Sequence, residues 1–333
     1  MIDTLVLFVI GFFILIKGAD FLIDGATSVA KRFNISNWII GMTVVGIGTS
    51  IPEFSITLLS ALGGEADIGL GTIIGSNTFN ILLILGLSAA VFPLTAKPVW
   101  ITKDLVMNIY AVLAAAVLAI FPLIGGGFFE ISKGEGFVLL FLFIAWMFYL
   151  VVRNGATKRL ESEEGPSLKI FAIPLSVLMM IGGLVGVIIG AEWVVRGGEL
   201  LARAFGTSEA IIGLTVIGIG TSLPELTVSV SAARKGNVGI SLGNIVGSNI
   251  FDFLGILGIA AAVRSVAFPR ELVTDLMITL GAAVLLLLAM FVPGEGPVRS
   301  RVSVGRSKYT LERWQGFVFI ALYILYISMI GKI

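Results

Sequence analysis

The chain has 333 residues, of which 57% are hydrophobic and only 13% are charged, and its mean hydropathy is +1.06. A soluble domain of this size needs far more polar surface, so the composition excludes a soluble globular protein and predicts a polytopic membrane protein. The formal net charge of +1 is no basic excess, so nothing indicates nucleic acid as a partner.

Apolar runs of about 18 residues or more recur along the chain, and each is long enough to cross a hydrocarbon core about 30 Å thick. Only helices and closed barrels satisfy their backbone polar groups in lipid, and continuous apolar runs favour helices, so the predicted fold is all-α. The N-terminus lacks a basic segment and a cleavage site, so we expect the first run to be a membrane helix and not a removable signal. Ten spans are predicted, at about 4–29, 36–62, 68–93, 104–124, 135–152, 170–202, 208–233, 239–263, 271–292 and 314–331.

The chain contains no cysteine and no histidine. Their absence excludes disulfides and thiolate chemistry, and it removes the commonest transition-metal ligand and the usual proton shuttle. Any ion site must therefore use oxygen ligands, which suit hard cations such as Na⁺, Ca²⁺ or Mg²⁺. No nucleophile–base set, phosphate loop or cofactor motif is present, so we expect neither an enzyme nor a cofactor.

Two octapeptides, GIGTSIPE at 46–53 and GIGTSLPE at 218–225, differ at only one position. We call the shift that aligns 46 with 218 the repeat offset. At this offset, 6 of the 10 residues in 71–80 (GTIIGSNTFN) are identical to those in 243–252 (GNIVGSNIFD). We call 46–53 with 71–80 the first copy of the motif, and 218–225 with 243–252 the second copy. A duplicated pattern of this length predicts an internal repeat.

The repeat divides the chain into two halves of five helices each, a first repeat at 1–152 and a second at 170–333, joined by a cytoplasmic linker at 153–169. The fifth spans align through GFV at 136–138 and at 316–318, with a slightly larger shift. Because five is odd, the second half is predicted to be inverted in the membrane.

Loop charges give an independent prediction of the topology. Of the 22 lysines and arginines, 15 lie on the side of the first loop and 5 on the other. Positive loops stay in the cytoplasm, so we expect a multi-pass protein of the cell (plasma) membrane with both termini extracellular.

Each copy of the motif places pairs of side-chain oxygens four residues apart, which predicts a shared helical face. The pairs are Thr49 and Glu53, Ser76 and Asn80, Thr221 and Glu225, and Ser248 and Asp252. A charged side chain at the centre of a span costs about 2.5–3.5 kcal/mol on insertion scales, so intramembrane acids indicate function. These three acids have no lysine or arginine nearby in the sequence, and the cluster therefore predicts a cation site.

Proline follows each GTS sequence, at Pro52 and Pro224. Because proline removes a backbone donor and clashes with the preceding turn, both helices are predicted to break just before the glutamate. The carbonyls around Gly46 and Gly218 are then expected to lose their partners and to face a cation. Broken helices at matching places in two repeats are typical of a transport site. The GxxxG patterns of the third span in each half indicate close helix packing.

The remaining charged and aromatic residues of the spans are interpreted as structural. The charged ones are expected to pair along the helix or to reach the membrane interface: Lys17, Asp20, Asp24, Glu192, Arg196 and Glu199. Trp100, Trp146 and Trp314 are predicted to be interfacial anchors.

The sequences GIGTSIPE…GTIIGSNTFN and GIGTSLPE…GNIVGSNIFD resemble the two alpha-repeats of the sodium/calcium exchangers in the cation/calcium exchanger superfamily. The resemblance spans the whole chain. It implies a secondary antiporter that exchanges Na⁺ for Ca²⁺ by alternating access and is electrogenic, with the first and sixth helices sliding against the other eight. The linker is too short for a regulatory domain, so the chain resembles the prokaryotic type.

The resemblance also implies a set of cation ligands at the membrane midplane. From the first half these are Thr49, Ser50, Glu53, Ser76 and Asn80, with the carbonyl of Gly46. From the second half they are Thr221, Ser222, Glu225, Ser248 and Asp252, with the carbonyl of Gly218. The expected partners are Ca²⁺ and Na⁺ as transported ions and the lipid bilayer, with no obligatory protein partner.

Two relatives of this activity stay open at this point. A Ca²⁺/H⁺ antiporter would use the same acids, although the motif typical of the proton-coupled branch is absent. A K⁺-dependent Na⁺/Ca²⁺ exchanger is the second alternative, because such members also carry a carboxylate where Asp252 stands. A passive cation channel needs no alternating access, and the inverted repeat argues against it.

Overall fold

A computed structural model describes residues 2–64, 66–121, 129–157, 170–204, 218–292 and 309–330. The secondary structure in these ranges is helical apart from four two-residue strands. The α-helices are α1 (Ile2–Phe33), α2 (Asn37–Ile40), α3 (Gly46–Thr49), α4 (Ile51–Gly63), α5 (Ala66–Phe79), α6 (Leu85–Val91), α7 (Val106–Ile120), α8 (Lys133–Thr157), α9 (Ile173–Ala204), α10 (Gly218–Gly220), α11 (Leu223–Arg234), α12 (Val238–Ile250), α13 (Leu257–Val263), α14 (Glu271–Phe291) and α15 (Arg313–Ile330).

Four π-helical segments of the described residues continue these helices without a break in the chain. They are π1 (Gly41–Val45), between α2 and α3, π2 (Asn80–Ile84), between α5 and α6, π3 (Trp100–Leu105), before α7, and π4 (Phe251–Ile256), between α12 and α13. A π-turn inside an α-helix is uncommon and is often found at functional sites. Two of the four segments contain a predicted ligand, Asn80 in π2 and Asp252 in π4.

The described residues contain seven helices that are long and apolar enough to cross a membrane, and the pair at 37–63, bent by 49°, makes an eighth. The protein is therefore an all-helical membrane protein, as the composition predicted. α15 is apolar but shorter than the other spans. The predicted span at 208–233 lies partly outside the described residues. Helix α8 continues to Thr157, into the predicted linker, and the rest of that linker, 158–169, also lies outside.

Helices α1 and α9 pack along one another through glycines. A Cβ atom on Gly18 would lie 2.8 Å from the carbonyl oxygen of Gly183, so only glycine permits this approach. The buried apolar residues of the two helices share a cluster with side chains of α2, π1, α11 and α12, and this cluster is separate from the main core. The α1–α9 pair thus packs against one side of the bundle, outside the main core.

Four two-residue strands in the described ranges tie loops together in antiparallel pairs. Strand β1 (Leu94–Thr95) pairs with β4 (Thr310–Leu311), and β2 (Glu130–Ile131) pairs with β3 (Val266–Ala267). In the alignment of the two halves, β1 matches β3 at the repeat offset. β2 matches β4 at the larger shift that aligns 136–138 with 316–318. Each pair therefore joins a strand from the N-terminal half of the sequence to one from the C-terminal half.

The prediction that Trp100 and Trp146 are interfacial anchors is wrong, because their exposed fractions are only 5% and 3%. Trp100 stacks on Trp38 with the ring centroids 4.4 Å apart. The indole Nε1 of Trp38 donates to Oδ2 of the buried Asp104 at 2.7 Å. The third predicted anchor, Trp314, is 57% exposed.

Candidate cation site

Both copies of the motif break a helix at the serine that precedes proline. Ser50 separates α3 from α4 with φ −81° and ψ 11°, and Ser222 separates α10 from α11 with φ −91° and ψ 7°. Pro52 and Pro224 then lie in the first turn of the following helix, where backbone N–H groups have no partner within that helix and proline is tolerated. The predicted break just before each glutamate is confirmed.

Two expectations that accompanied this break are wrong. Thr49 and Glu53 do not share one continuous helical face, because Ser50 interrupts the helix between them. The Gly46 carbonyl oxygen also keeps its partners, since it accepts from the Ser50 N–H at 3.2 Å and from Ser248 Oγ at 3.0 Å. Proline removes the donor for the carbonyl four residues earlier, which is that of Gly48 and not that of Gly46.

Each copy of the motif holds the glutamate of the other. Ser50 Oγ donates to Glu225 Oε1 at 3.2 Å, and Ser222 Oγ donates to Glu53 Oε1 at 3.3 Å. Both glutamates are only 1% exposed. The neighbouring threonine hydroxyls also approach these carboxyl groups, with Thr221 at Glu53 and Thr49 at Glu225. The two helix breaks therefore face one another across a buried interface.

The third span of each half adds a second crossed pair of contacts. Asn77 Nδ2 donates to Asp252 Oδ2 at 2.8 Å, and Asn80 Nδ2 donates to Asn249 Oδ1 at 3.1 Å. All four side chains are at most 2% exposed. Ser50 and Ser76 also approach the Asp252 carboxyl group. The aspartate thus joins the same buried polar cluster as the glutamates.

Five oxygen atoms of this cluster are buried without a hydrogen-bond partner among the described residues. They are Glu53 Oε2, Glu225 Oε2, Asp252 Oδ1, Asn77 Oδ1 and Asn80 Oδ1. Buried polar atoms nearly always find a partner, so five unpartnered acceptors in one cluster need an explanation. A cation would satisfy these oxygens, because a hard cation binds lone pairs of carboxylate and amide oxygens.

The charges of the cluster also favour a bound cation. The Glu53 carboxyl group lies close enough to Glu225 and Asp252 to interact with both charges. Within the described ranges, no lysine or arginine forms an ion pair with any of the three. Over the same residues, no three acidic side chains form a metal cluster by themselves. Hydroxyl and amide oxygens must therefore complete any coordination shell here.

The remaining predicted ligands differ in what they contact. Ser248 directs its hydroxyl to the Gly46 carbonyl, whereas Ser76 donates to Ile73 O of its own helix at 3.1 Å. Thr221 is partly exposed, and Gly218 is the first residue of α10, after 205–217, which lie outside the described residues.

The chain matches the family model described as "Sodium/calcium exchanger protein" over residues 4–152 and 175–331. It belongs to this family. An uncharacterized membrane protein of Methanocaldococcus jannaschii is 35% identical, with 96% of each chain covered. The sodium/calcium exchanger MaX1 of Methanosarcina acetivorans is 28% identical, again with 96% of each covered. Among solved structures, the sodium-calcium exchanger NCX_Mj soaked with Na⁺ and Ca²⁺ is similar with a TM-score of 0.79, at 32% identity and 98% coverage of both chains.

Reasoning from the sequence missed two residues of this exchanger's polar cluster, Asn77 and Asn249. A signal for them was present, because both copies of the motif contain GSN and the repeat offset places one asparagine on the other. The i, i+4 spacing drew attention to Ser76 with Asn80 and passed over the residue between them. In the structure these two asparagines contact the candidate ligands of the opposite half.

Proposed function

We propose that this chain is a secondary antiporter that exchanges Na⁺ for Ca²⁺ across the cell membrane. The observation that carries the proposal is the cluster of buried, unpartnered acceptor oxygens around three carboxyl groups that have no basic partner among the described residues. Membership of the sodium/calcium exchanger family and the similarity to NCX_Mj support the choice of ions. The relatives that are named as exchangers are transporters and not enzymes, and the sequence of this chain likewise contains no catalytic motif.

The proposed ligands come from both copies of the motif. Side chains of Thr49, Ser50, Glu53, Ser76, Asn80, Thr221, Ser222, Glu225, Ser248 and Asp252 supply oxygen atoms, and Gly218 supplies a carbonyl. The carbonyl of Gly46 is a proposed ligand as well, and it would exchange its contact with Ser248 for the ion. Glu53 and Glu225 carry the two negative charges that balance a divalent ion. The crossed serine contacts support this set, since each serine already bonds one oxygen of a glutamate and leaves the other oxygen available.

The chain is proposed to have ten spans arranged as two inverted repeats, at 1–152 and 170–333, with both termini extracellular. Support comes from the matching positions of the strands in the two halves and from matching helix breaks at Ser50 and Ser222. The close packing of α1 on α9 through glycines, with their buried apolar residues outside the main core, supports alternating access in which this pair moves against the rest. Access would then change sides without rebuilding the buried cluster.

Vesicles that contain the purified protein test the exchange directly. We expect ⁴⁵Ca²⁺ to enter Na⁺-loaded vesicles when an outward Na⁺ gradient is imposed, and not when only an H⁺ or a K⁺ gradient is present. Protein-free vesicles are the control. Uptake that follows the H⁺ gradient without Na⁺ would overturn the proposal in favour of Ca²⁺/H⁺ antiport, and an absolute need for K⁺ would indicate K⁺ cotransport.

The exchange is further proposed to move three Na⁺ for each Ca²⁺, so that one net positive charge crosses per cycle. A charge crossing the membrane potential is worth about 2.3 kcal/mol per 100 mV, which is more than a tenfold bias in the Ca²⁺ gradient. An inside-positive potential set with K⁺ and valinomycin should therefore accelerate Ca²⁺ entry into Na⁺-loaded vesicles. If the balance point of the two gradients ignores voltage, the exchange is electroneutral, with two Na⁺ per Ca²⁺.

A further inference from the structure

One asparagine of the second copy contacts both helix breaks, although its matching residue in the first copy does not. Asn244 lies in α12, is 0% exposed, and stands where the repeat offset places Thr72 in the first copy. Thr72 bonds only its own helix in the described contacts, at Ile68 O, 2.9 Å away. The asparagine therefore adds contacts to the second copy that the repeat itself does not supply.

The amide group of Asn244 connects three segments of the cluster. Its Oδ1 accepts from Thr49 Oγ1 at 3.1 Å, at the end of α3. Its Nδ2 donates to Ser229 Oγ at 2.9 Å and to the Glu225 carbonyl oxygen at 3.4 Å, both in α11. Because the nitrogen is directed to α11, the oxygen is fixed as the acceptor that faces Thr49.

The backbone around Asn244 leaves this side chain little freedom of position. A Cβ atom on Gly46 would lie 2.9 Å from the Asn244 carbonyl oxygen, and one on Gly243 would lie 2.7 Å from Trp38 O. Helix α12 therefore lies directly against the helix that carries Thr49. A side chain held this closely can orient its neighbours with little loss of conformational entropy.

The contact with Thr49 has a consequence for coordination. A hydroxyl oxygen binds a cation through a lone pair, so its single proton must point to another acceptor. The acceptors within reach of Thr49 are Asn244 Oδ1, the Gly46 carbonyl at 3.3 Å and the Glu225 carboxyl group. Glu225 is itself a proposed ligand, and the Gly46 carbonyl already accepts from Ser248. Asn244 Oδ1 differs from the other two acceptors. It is not a proposed ligand, and it accepts from no second hydroxyl in the described contacts.

We propose that Asn244 is a positioning residue of the cation site, which takes the hydroxyl proton of Thr49 and thereby turns the oxygen of that threonine toward the ion. The inference rests on the proposed function, because it assumes that Thr49 binds the transported cation. Asn244 also ties Glu225 and Ser229 to the same point, so that the two helix breaks keep their relative position. Its amide is neutral and leaves the charge balance of the site unchanged.

A double-mutant cycle tests the proposal. Equilibrium Ca²⁺ binding of the purified full chain is measured in Na⁺-free detergent solution for Asn244→Leu, Thr49→Val and the double variant. We expect each single substitution to weaken Ca²⁺ binding about tenfold, and the double variant to bind no more than about threefold more weakly than the weaker single variant. Thr72→Val, the matching position of the first copy, is the control and should change Ca²⁺ binding less than twofold.

Additive losses, about a hundredfold in the double variant, would overturn the proposal, and so would unchanged Ca²⁺ binding in Asn244→Leu. Thermal unfolding is followed in parallel, because a purely structural residue would lower the unfolding temperature without coupling to Thr49. If Asn244→Leu does not fold, Asn244→Ser, whose side chain is too short to reach Thr49, replaces it in the same cycle. Wild-type protein that neither binds nor transports Ca²⁺ would instead overturn the proposed function.

Discussion

In the second copy of the motif Ser248 donates its hydroxyl to the Gly46 carbonyl of the first copy, whereas in the first copy Ser76 donates to Ile73 of its own helix. The two serines occupy the same place in GSN, yet Ser248 bonds the backbone of the opposite half, whereas Ser76 approaches only the Asp252 carboxyl group there. Asn244 and Thr72 differ in the same way, because Asn244 contacts Thr49 of the opposite half and Thr72 bonds Ile68 of its own helix. The duplicated sequence thus supplies similar oxygen atoms twice, while the contacts that Ser248 and Asn244 make with α3 have no counterpart from Ser76 and Thr72 among the described residues.

The glutamates show the opposite behaviour, because a serine and a threonine hydroxyl of the opposite copy approach each carboxyl group. Each is held by the serine of the other copy, at 3.2 Å and 3.3 Å. We therefore expect substitutions of the glutamates and their serines to have equal effects in the two copies, and substitutions elsewhere in the motif to have unequal effects. Substitutions at both kinds of position test this division.

Glu53→Gln and Glu225→Gln should each lower Na⁺/Ca²⁺ exchange more than a hundredfold while the protein still folds. A neutral amide keeps the size of the side chain but removes the charge that offsets dehydration of a divalent ion. Na⁺-dependent ⁴⁵Ca²⁺ uptake in vesicles measures the loss, and Glu192→Gln, an exposed glutamate of α9, is the control. Uptake near the wild-type level in either variant would remove that glutamate from the site.

Ser50→Ala and Ser222→Ala should each weaken Ca²⁺ binding about tenfold, and by the same factor within experimental error. Each substitution removes the hydrogen bond to a buried carboxylate, and bonds to charged groups contribute about 1.5–3 kcal/mol. Ser55→Ala, the same change at an exposed serine that bonds only Ile51 O in the described contacts, is the control. A loss in one serine variant alone would show that the crossed contacts are not equivalent in the working protein.

Asp252→Asn should retain exchange within about threefold of wild type, since Glu53 and Glu225 alone balance a divalent ion. The substitution makes this position the same as Asn80 in the first copy and keeps an oxygen atom for coordination. Vesicle uptake and equilibrium Ca²⁺ binding measure the effect, with Asp252→Ala as the comparison that also removes the oxygen. Complete loss of exchange in Asp252→Asn would mean that the aspartate binds the ion as a charged ligand, and it would favour K⁺ or H⁺ coupling.

The features that the sequence predicted are those that depend on neighbouring residues. Apolar run length placed the described spans to within a few residues, and proline placed the helix breaks at Ser50 and Ser222. The acids of the cluster were recognisable because a buried carboxylate without a counter-charge is rare in a membrane helix.

The features that were missed depend on which helices face one another. Asn244 appears within GNIVG, which reads as a packing pattern, and its partner Thr49 is far away in the sequence. The burial of Trp100 and Trp146 likewise follows from packing, because an amphipathic ring fits either a membrane interface or the hydrophobic core, to which both belong. π2 and π4 carry no composition signal, so the exact direction of Asn80 and Asp252 could not be read from the spacing.

A last difference between the halves lies at the α1–α9 pair. Lys235, which follows α11, contacts Asp24 Oδ1 at 2.8 Å and Asp20 Oδ1 at 3.1 Å on α1. The matching position in the first copy is Gly63, and the residues matching the two aspartates, Glu192 and Arg196, pair with one another along α9. Helix α1 is thus tethered to the rest of the bundle by an ion pair that α9 lacks at the matching place in the described residues.

If α1 moves against the bundle during exchange, as we propose, the Lys235 contacts must break in each cycle. These side chains are 24–32% exposed, and partly exposed ion pairs contribute about 0–1 kcal/mol, so Lys235→Met should raise the exchange rate only about two- to threefold. The gain should shrink at high ionic strength, because salt screens the pair in the wild type. Lys103→Met, which removes an exposed lysine predicted to lie on the same side of the membrane, is the control. An unchanged rate at low salt would show that α1 keeps its position beside Lys235 throughout the cycle, and the moving element would then have to be sought in α9 alone.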